Sequence, residues 1–166
     1  FCGLSNESPW GISEYLRLAE LHNLPAIVSV QNELNLLHTK DWPYMLETCS
    51  MKNVAYLPWS PLGGGTLTGK YLNGARPDGS RWTAIQRNGI FRDTPRSDAA
   101  VAAYVEVARR YDITPAQLAL AWVDQLNGVS STILGATSQA QLLENVAAFD
   151  MPLSEECMAD ITAVLK

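Results

Sequence analysis

Apolar positions recur along the chain in two alternating rhythms, one at helical spacing and one in short unbroken runs. Between residues 9 and 22, Ile12, Tyr15, Leu16, Leu18 and Leu21 fall near helical spacing, which predicts a helix that Asn23 and Pro25 stop. The apolar run of residues 25–31 predicts a buried strand. A second helix is expected over residues 41–52, capped by Asp41 with Trp42 and Pro43 in its first turn, and a second strand over residues 54–59. Residues 97–111 and 114–125 predict consecutive helices. The latter opens on Thr114-Pro115-Ala116-Gln117, which supplies a cap, a first-turn proline and a capping-box glutamine. Val101, Val105 and Ala108, then Leu118, Ala121 and Trp122, form stripes that read as core. A strand at residues 131–134, a helix at 138–149 and a closing helix at 154–165 complete the series. Strands alternating with helices, without a linker, predict one α/β unit over residues 1–166.

Composition narrows the class without identifying a site. With 47% apolar residues in 166, the chain is long enough to bury a core, and a net charge of −5 argues against a nucleic-acid surface. The apolar run ending at Val30 is too short to span a bilayer, so no membrane partner is expected and the cytoplasm is the expected compartment. Cys2, Cys49 and Cys157 have no metal-ligand or CxxC spacing and read as reduced structural thiols. His22 and His38 lack a carboxylate or thiol companion at ligand spacing, so neither a metal nor an acid-base role is assigned to them.

Two loops carry candidate chemistry. The stretch Trp59-Ser60-Pro61-Leu62-Gly63-Gly64-Gly65 follows an apolar strand and runs on through Thr66-Leu67-Thr68-Gly69 to Lys70 and Tyr71. Its glycines let backbone amides approach an anion, Lys70 adds a positive charge, and Trp59 offers a flat face for a heteroaromatic ring. The loop matches neither GxxxxGK[ST] nor GxGxxG, so a surface loop beside a core tryptophan is the alternative reading. The second loop follows the strand at 131–134. Gly135, Ala136 and Thr137 lead into Ser138, a cap with Gln141 three residues on, and a helix amino terminus so opened attracts phosphate. An ordinary strand-to-helix connection explains the cap equally well, but not why Gln141, Glu144 and Asn145 share one face.

Strand-end loops of this kind, repeated in one chain, occur at the carboxyl face of a (β/α)8 barrel. The sequence resembles the aldo-keto reductases on four ordered motifs. These are Gly3-Leu4-Ser5-Asn6; Gln31-Asn32; Trp59-Ser60-Pro61-Leu62 with Leu67-Thr68-Gly69-Lys70-Tyr71; and Gly135-Ala136-Thr137 with Gln141-Leu142 and Glu144-Asn145. It is most similar to the Tas-like bacterial branch and to the potassium-channel β subunits, which share the Gly-Val-Ser-Ser run at residues 128–131. The resemblance covers essentially the full chain and implies the carboxyl-terminal half of a (β/α)8 TIM barrel, strands five to eight with their helices. It also implies that the catalytic Asp, Tyr, Lys and His follow earlier strands and lie outside this chain. Phe1-Cys2-Gly3 then corresponds to the end of the fifth strand, and the parent protein is expected to continue upstream.

The activity the resemblance implies is hydride transfer from NADPH to an aldehyde or ketone, a small-molecule carbonyl substrate for the intact parent. By the same resemblance Ser5, Asn6 and Gln31 bond the nicotinamide carboxamide, Trp59 stacks on the ring, and Ser60, Pro61, Leu62, Gly64 and Lys70 line the pyrophosphate. Gly135, Thr137, Gln141, Glu144 and Asn145 receive the adenosine end. The polar stretch 72–95, which holds Arg76, Arg81, Arg87 and Arg92, is expected to be a mobile strap over the cofactor, with Arg81 on its phosphates and Arg76 as the rival. A solvated loop without a ligand role is the other reading. Many relatives carry an arginine where Gln141 stands and a lysine where Gly135 stands, so NAD(H) remains open beside NADP(H). Two other classes also stay open: a dinucleotide-sensing module without turnover, and an inactive half-barrel. A half-barrel alone would leave unpaired strand edges and is expected to form a homo-oligomer.

Overall fold

A computed structural model describes residues 1–84 and 94–165. Three parallel strands, β1 (Cys2–Ser5), β2 (Ile27–Gln31) and β3 (Ala55–Tyr56), lie side by side in that order, with helix α1 (Pro9–Leu21) connecting the first pair and α2 (Tyr44–Lys52) the second. Ser8 caps α1, its hydroxyl accepting from Gly11 N at 3.0 Å, and Pro9 takes the first turn, where its missing N–H costs nothing. The register sets Leu4 opposite Val30 and Val30 opposite Tyr56, while Gly3, Ser29 and Ala55 line up on the other face. The first set faces the helices, and Val30 and Tyr56 are fully buried there. Ser29 and Ala55 on the second face keep solvent contact. The expectation of a buried strand at residues 25–31 is therefore corrected. Period-two alternation sends Ser29 and Gln31 to a face that no described helix covers.

Two other strand expectations are met only in part. A strand is expected over residues 54–59, yet the regular ladder spans only Ala55–Tyr56. The chain still runs beside β2, with Leu57 N on Val30 O and Trp59 N on Asn32 O, both at 2.9 Å. Residues 131–134 form no regular strand. The segment nonetheless occupies the fourth position through a parallel bridge between Tyr56 and Val129, Ser130 N to Tyr56 O at 2.9 Å, and Ile133 N to Pro58 O at 2.9 Å. The Ser130 hydroxyl accepts the Tyr56 N–H at 3.1 Å, displacing the carbonyl that a regular ladder would put there.

The remaining helices follow local signals. After a 3-10 turn at Leu72–Gly74 and one helical turn, α3 (Arg81–Ala84), come α4 (Pro95–Arg110), α5 (Pro115–Asp124), α6 (Gln139–Ala147) with a 3-10 turn at Ala148–Asp150, and α7 (Glu155–Leu165). Helix α4 begins two residues before the expected 97, because Thr94 and Ser97 form a capping box across Pro95. Helix α2 begins at Tyr44 and not at Asp41, whose side chain serves elsewhere. Residues 85–93, with Arg87 and Arg92 of the expected strap, lie outside the described residues. Helix α5 is buried all round, from Ala116 to Val123 except Gln117, and Trp122 in its last turn meets Trp42 edge-on at 6.1 Å. Among the described residues no helix is long and apolar enough to cross a membrane.

Trp122 is 1% exposed, so truncation leaves a cavity that its packed neighbours can close only partly. Trp122→Ala is expected to lower stability by about 3–5 kcal/mol. Urea unfolding checks this, and a midpoint unchanged from the parent chain would show that α5 is not the centre of the core.

Candidate functional site

The carboxyl ends of the three strands converge. Ser5 stands directly opposite Gln31, and the pairing is carried one step further by Asn6 N, which donates to Gln31 O at 3.0 Å. Trp59, half-buried, bridges to Glu33, and its N–H donates to Asn32 O at 2.9 Å. Asn6, directly after β1, and Ser60, directly after the Trp59 bridge, have φ of 56° and 53°, the left-handed region that few side chains enter. Asparagine tolerates it; serine does so at a cost, and Ser60 is held by Asn35, a fully buried side chain whose Nδ2 donates to Ser60 O at 3.0 Å. A cavity of about 330 Å³ opens beside these strand ends, with Asn6, Asn32, His38, Lys40, Asp41 and Trp59 in its lining.

The glycine loop is a tight coil. Gly63, Gly64 and Gly65 have φ of 55°, 70° and 97°, and Thr68 Oγ1 closes back on Gly65 O at 2.8 Å. Pro61 and Gly64 are buried, Ser60 and Leu62 half-buried, and Lys70 exposed with its ammonium 5.3 Å from the Tyr71 ring centre. The Thr66 hydroxyl is buried without a hydrogen-bond partner among the described residues.

At the second loop the structure joins two of the expected residues. Gln141 Oε1 accepts from both Thr137 N and Thr137 Oγ1 at 3.0 Å, while Ser138 Oγ accepts from Gln141 N at 3.2 Å. Ser138 thus caps α6 as expected, but the glutamine reaches back one residue further than a capping box would place it. Glu144 is half-buried one turn on, whereas Asn145 is 4% exposed and turned into the protein, and Gly135 has open space around it. The two rival arginines differ. Arg76 stacks on Trp82 at 4.1 Å and donates to Ala75 O at 2.7 Å, while Arg81 stands exposed on α3.

Electrostatics around the site favour neutral, unreactive groups. Burial, reinforced by the Asp41 carboxylate, pushes the Cys49 thiol up to about 11. Burial and Asp41, whose Oδ2 accepts from the Tyr56 hydroxyl at 3.0 Å, hold the Tyr56 phenol far above its ordinary range. His38 does gain a carboxylate neighbour, Glu33, with Nδ1 4.0 Å from Oε2, because the turn between Asn35 and His38 folds them together. Their five-residue separation matches no helical ligand spacing and gave no sign of this. Among the described residues no group of three or more His, Cys, Asp or Glu is placed to hold a metal ion. Asn32, Asn35, Asp41 and Tyr56, which fasten the strand ends, were not among the expected site residues. Their partners are long-range, and only Asn32 stands in one of the sequence motifs, Gln31-Asn32, without a role being expected of it.

Comparison with known proteins accounts for this arrangement. Residues 2–166 match the profile of the aldo/keto reductase family. The chain is 44% identical over 164 residues to Protein tas of Escherichia coli, covering 99% of this chain and 47% of that protein. It is 34% identical over 173 residues to a putative voltage-gated potassium channel subunit beta of Schizosaccharomyces pombe, covering 99% and 50%. It is 31% identical over 162 residues to pyridoxine 4-dehydrogenase of Escherichia coli, covering 98% and 43%. The chain spans about half the length of these curated relatives. It belongs to the aldo/keto reductase family, whose fold is a (β/α)8 barrel and whose members generally use NAD(P)H.

Gly65 in the first loop and Gly135 in the second differ in what they require. A Cβ at Gly65 would stand 3.0 Å from Lys70 Cε on a backbone with φ of +97°, whereas Gly135 meets nothing within 4 Å. Gly65→Ala is expected to cost about 1–2 kcal/mol, and Gly135→Ala close to nothing. Urea midpoints for the pair decide it; equal shifts would show that the coil does not depend on its left-handed backbone.

Proposed function

From its membership of the aldo/keto reductase family, we infer that this chain is the cofactor-binding, carboxyl-terminal half of a carbonyl reductase. The cofactor is NADP(H), with NAD(H) as the alternative, and the substrate of the intact protein is an aldehyde or ketone. The observation that carries this reading is the convergence of Asn6, Gln31 and Trp59 at the carboxyl ends of three adjacent parallel strands, where barrel enzymes build their sites.

The donor set fits a dinucleotide. Ser5 and the carboxamides of Asn6 and Gln31 offer donors and acceptors to the nicotinamide amide, and Trp59 presents a half-buried ring to the nicotinamide. In this reading Ser60, Pro61, Leu62, Gly64 and Lys70 line the pyrophosphate, and Arg81 on α3 is favoured over Arg76 as the phosphate contact, since Arg76 is engaged by Trp82 and Ala75. Gly135 and the bonded pair Thr137 and Gln141, with Glu144 on the next turn and Asn145 beneath, form the adenosine end. When bound, the nicotinamide supplies the hydride. This chain's part is to orient the ring and pin its amide, while the proton donor and its partners come from strands beyond this chain.

Exposed apolar side chains flank the sheet at both ends, Trp10, Leu21 and Leu24 at α1 and Leu142, Leu143 and Val146 at α6. They suit a chain that packs against the rest of a barrel, and in isolation they and the uncovered strand face favour self-association. Three free cysteines suit a reducing cytoplasm. Its 34% identity to a channel β subunit supports a second reading, dinucleotide sensing without turnover.

Calorimetry tests the proposal. The chain is expected to bind NADPH, Lys70→Ala and Glu144→Ala each to weaken binding roughly tenfold, and Trp59→Ala to weaken NADPH while sparing 2′,5′-ADP. No aldehyde turnover is expected from the chain alone, since the proton donor is absent. Unchanged dissociation constants in both charge variants would mean that these loops are ordinary connections, and turnover by the pure chain would mean that the acid is within it.

A further inference from the structure

Asn32 stands one residue beyond β2, 6% exposed, and its carboxamide behaves as an extra peptide group. Oδ1 accepts from Glu7 N at 3.0 Å and Nδ2 donates to Glu7 O at 2.7 Å, so the pairing of Asn6 N with Gln31 O is continued by one rung made from a side chain. The second Nδ2 hydrogen goes to Asp41 Oδ2 at 2.7 Å, an oxygen that also accepts from the Tyr56 hydroxyl at 3.0 Å. The Asn32 carbonyl accepts from Trp59 N at 2.9 Å. One residue thereby joins the loop after β1, the end of β2 and the extension of β3. Asp41 fixes its orientation and is itself anchored on the buried phenol in the sheet. Both amide hydrogens are spent, so no other side chain fits these partners unchanged.

We propose that the Asn32 side chain is a positioning group for the nicotinamide end of the cofactor, acting through Glu7 on the adjoining Asn6 and held in register by Asp41. The proposal rests on the reading of this chain as a dinucleotide-binding unit. Asn6 N bonds Gln31 O, and the Asn32 side chain fixes the next residue, Glu7, through both its N–H and its carbonyl, while the Asn32 backbone carbonyl accepts from Trp59 N. The adenosine end is built separately. Thr137 and Gln141 bond each other and Ser138, and among the described residues share none of these partners. Loosening Asn32 must therefore separate the two ends of the ligand, weakening the grip on nicotinamide while leaving the grip on adenosine phosphate intact. A loss of stability alone would weaken both alike.

The experiment is calorimetry of the chain with NADPH and with 2′,5′-ADP, which lacks the nicotinamide. In the parent chain NADPH binds more tightly than the fragment. Asn32→Ala and Asp41→Ala are each expected to weaken NADPH roughly tenfold and 2′,5′-ADP less than twofold, because each leaves buried donors without acceptors or acceptors without donors. Asp41→Asn keeps an oxygen for both donors and is expected to restore NADPH affinity to within about twofold of the parent. Should Asn32→Ala fail to fold, the two Asp41 variants decide. Parallel weakening of both ligands, or no change in either, overturns the positioning role. A parent chain that binds neither ligand overturns the cofactor reading, and the positioning role with it.

Discussion

Val30 and Tyr56 face the helices and are closed off from water, while their register neighbours Ser29 and Ala55 face the other way and are not. A parallel sheet is ordinarily covered on both faces, so this one-sided burial determines the shape of everything around it. Helices α1, α2 and α5 supply one cover, and the strand residues fully buried in the core, Val30 and Tyr56, lie on that side. The other side carries Gly3, Ser5, Ser29 and Gln31, small or polar residues suited to the inner face of a barrel at its carboxyl end. Fold and site are linked there, because the uncovered face ends at the loops that hold Asn6 and Trp59.

What was legible in the sequence was local. Thr114-Pro115-Ala116-Gln117 states a helix start in four residues, and the structure places the cap, the proline and the glutamine as that pattern requires. Thr94-Pro95-Arg96-Ser97 states another less plainly, since serine in place of Glu or Gln closes the box, and the expected strap runs through residue 95. Asp41 looked like a helix cap because it stands before Trp42 and Pro43. Its carboxylate belongs instead to Asn32 and Tyr56, nine and fifteen residues away. The same limit applied to the strands. Nothing beside Tyr56 in the sequence discloses that Ser130, seventy-four residues on, takes its N–H.

The candidate site followed the same division. Strand-end motifs such as Gly3-Leu4-Ser5-Asn6 and Trp59-Ser60-Pro61-Leu62 could be read from residue types in order, and they come together at the sheet end. The residues that make those ends rigid could not. Asn35 holds Ser60 in a left-handed conformation, and Asn32 extends a ladder with a side chain, both through partners twenty-five residues distant. Such groups look like any polar residue in a loop until burial and bond partners are known. Candidate and supporting residues are separate populations here, and of the supporting ones only Asn32 stood within a local motif.

Hydrogen exchange with and without NADPH tests the central claim, that the carboxyl ends of these strands and the coil that follows are one dinucleotide surface. Protection is expected to rise together in residues 5–8, 31–35, 59–70 and 135–145, while α7 and the outer turns of α1 exchange unchanged. Protection confined to one of these loops, or spread evenly over the chain, would contradict the account.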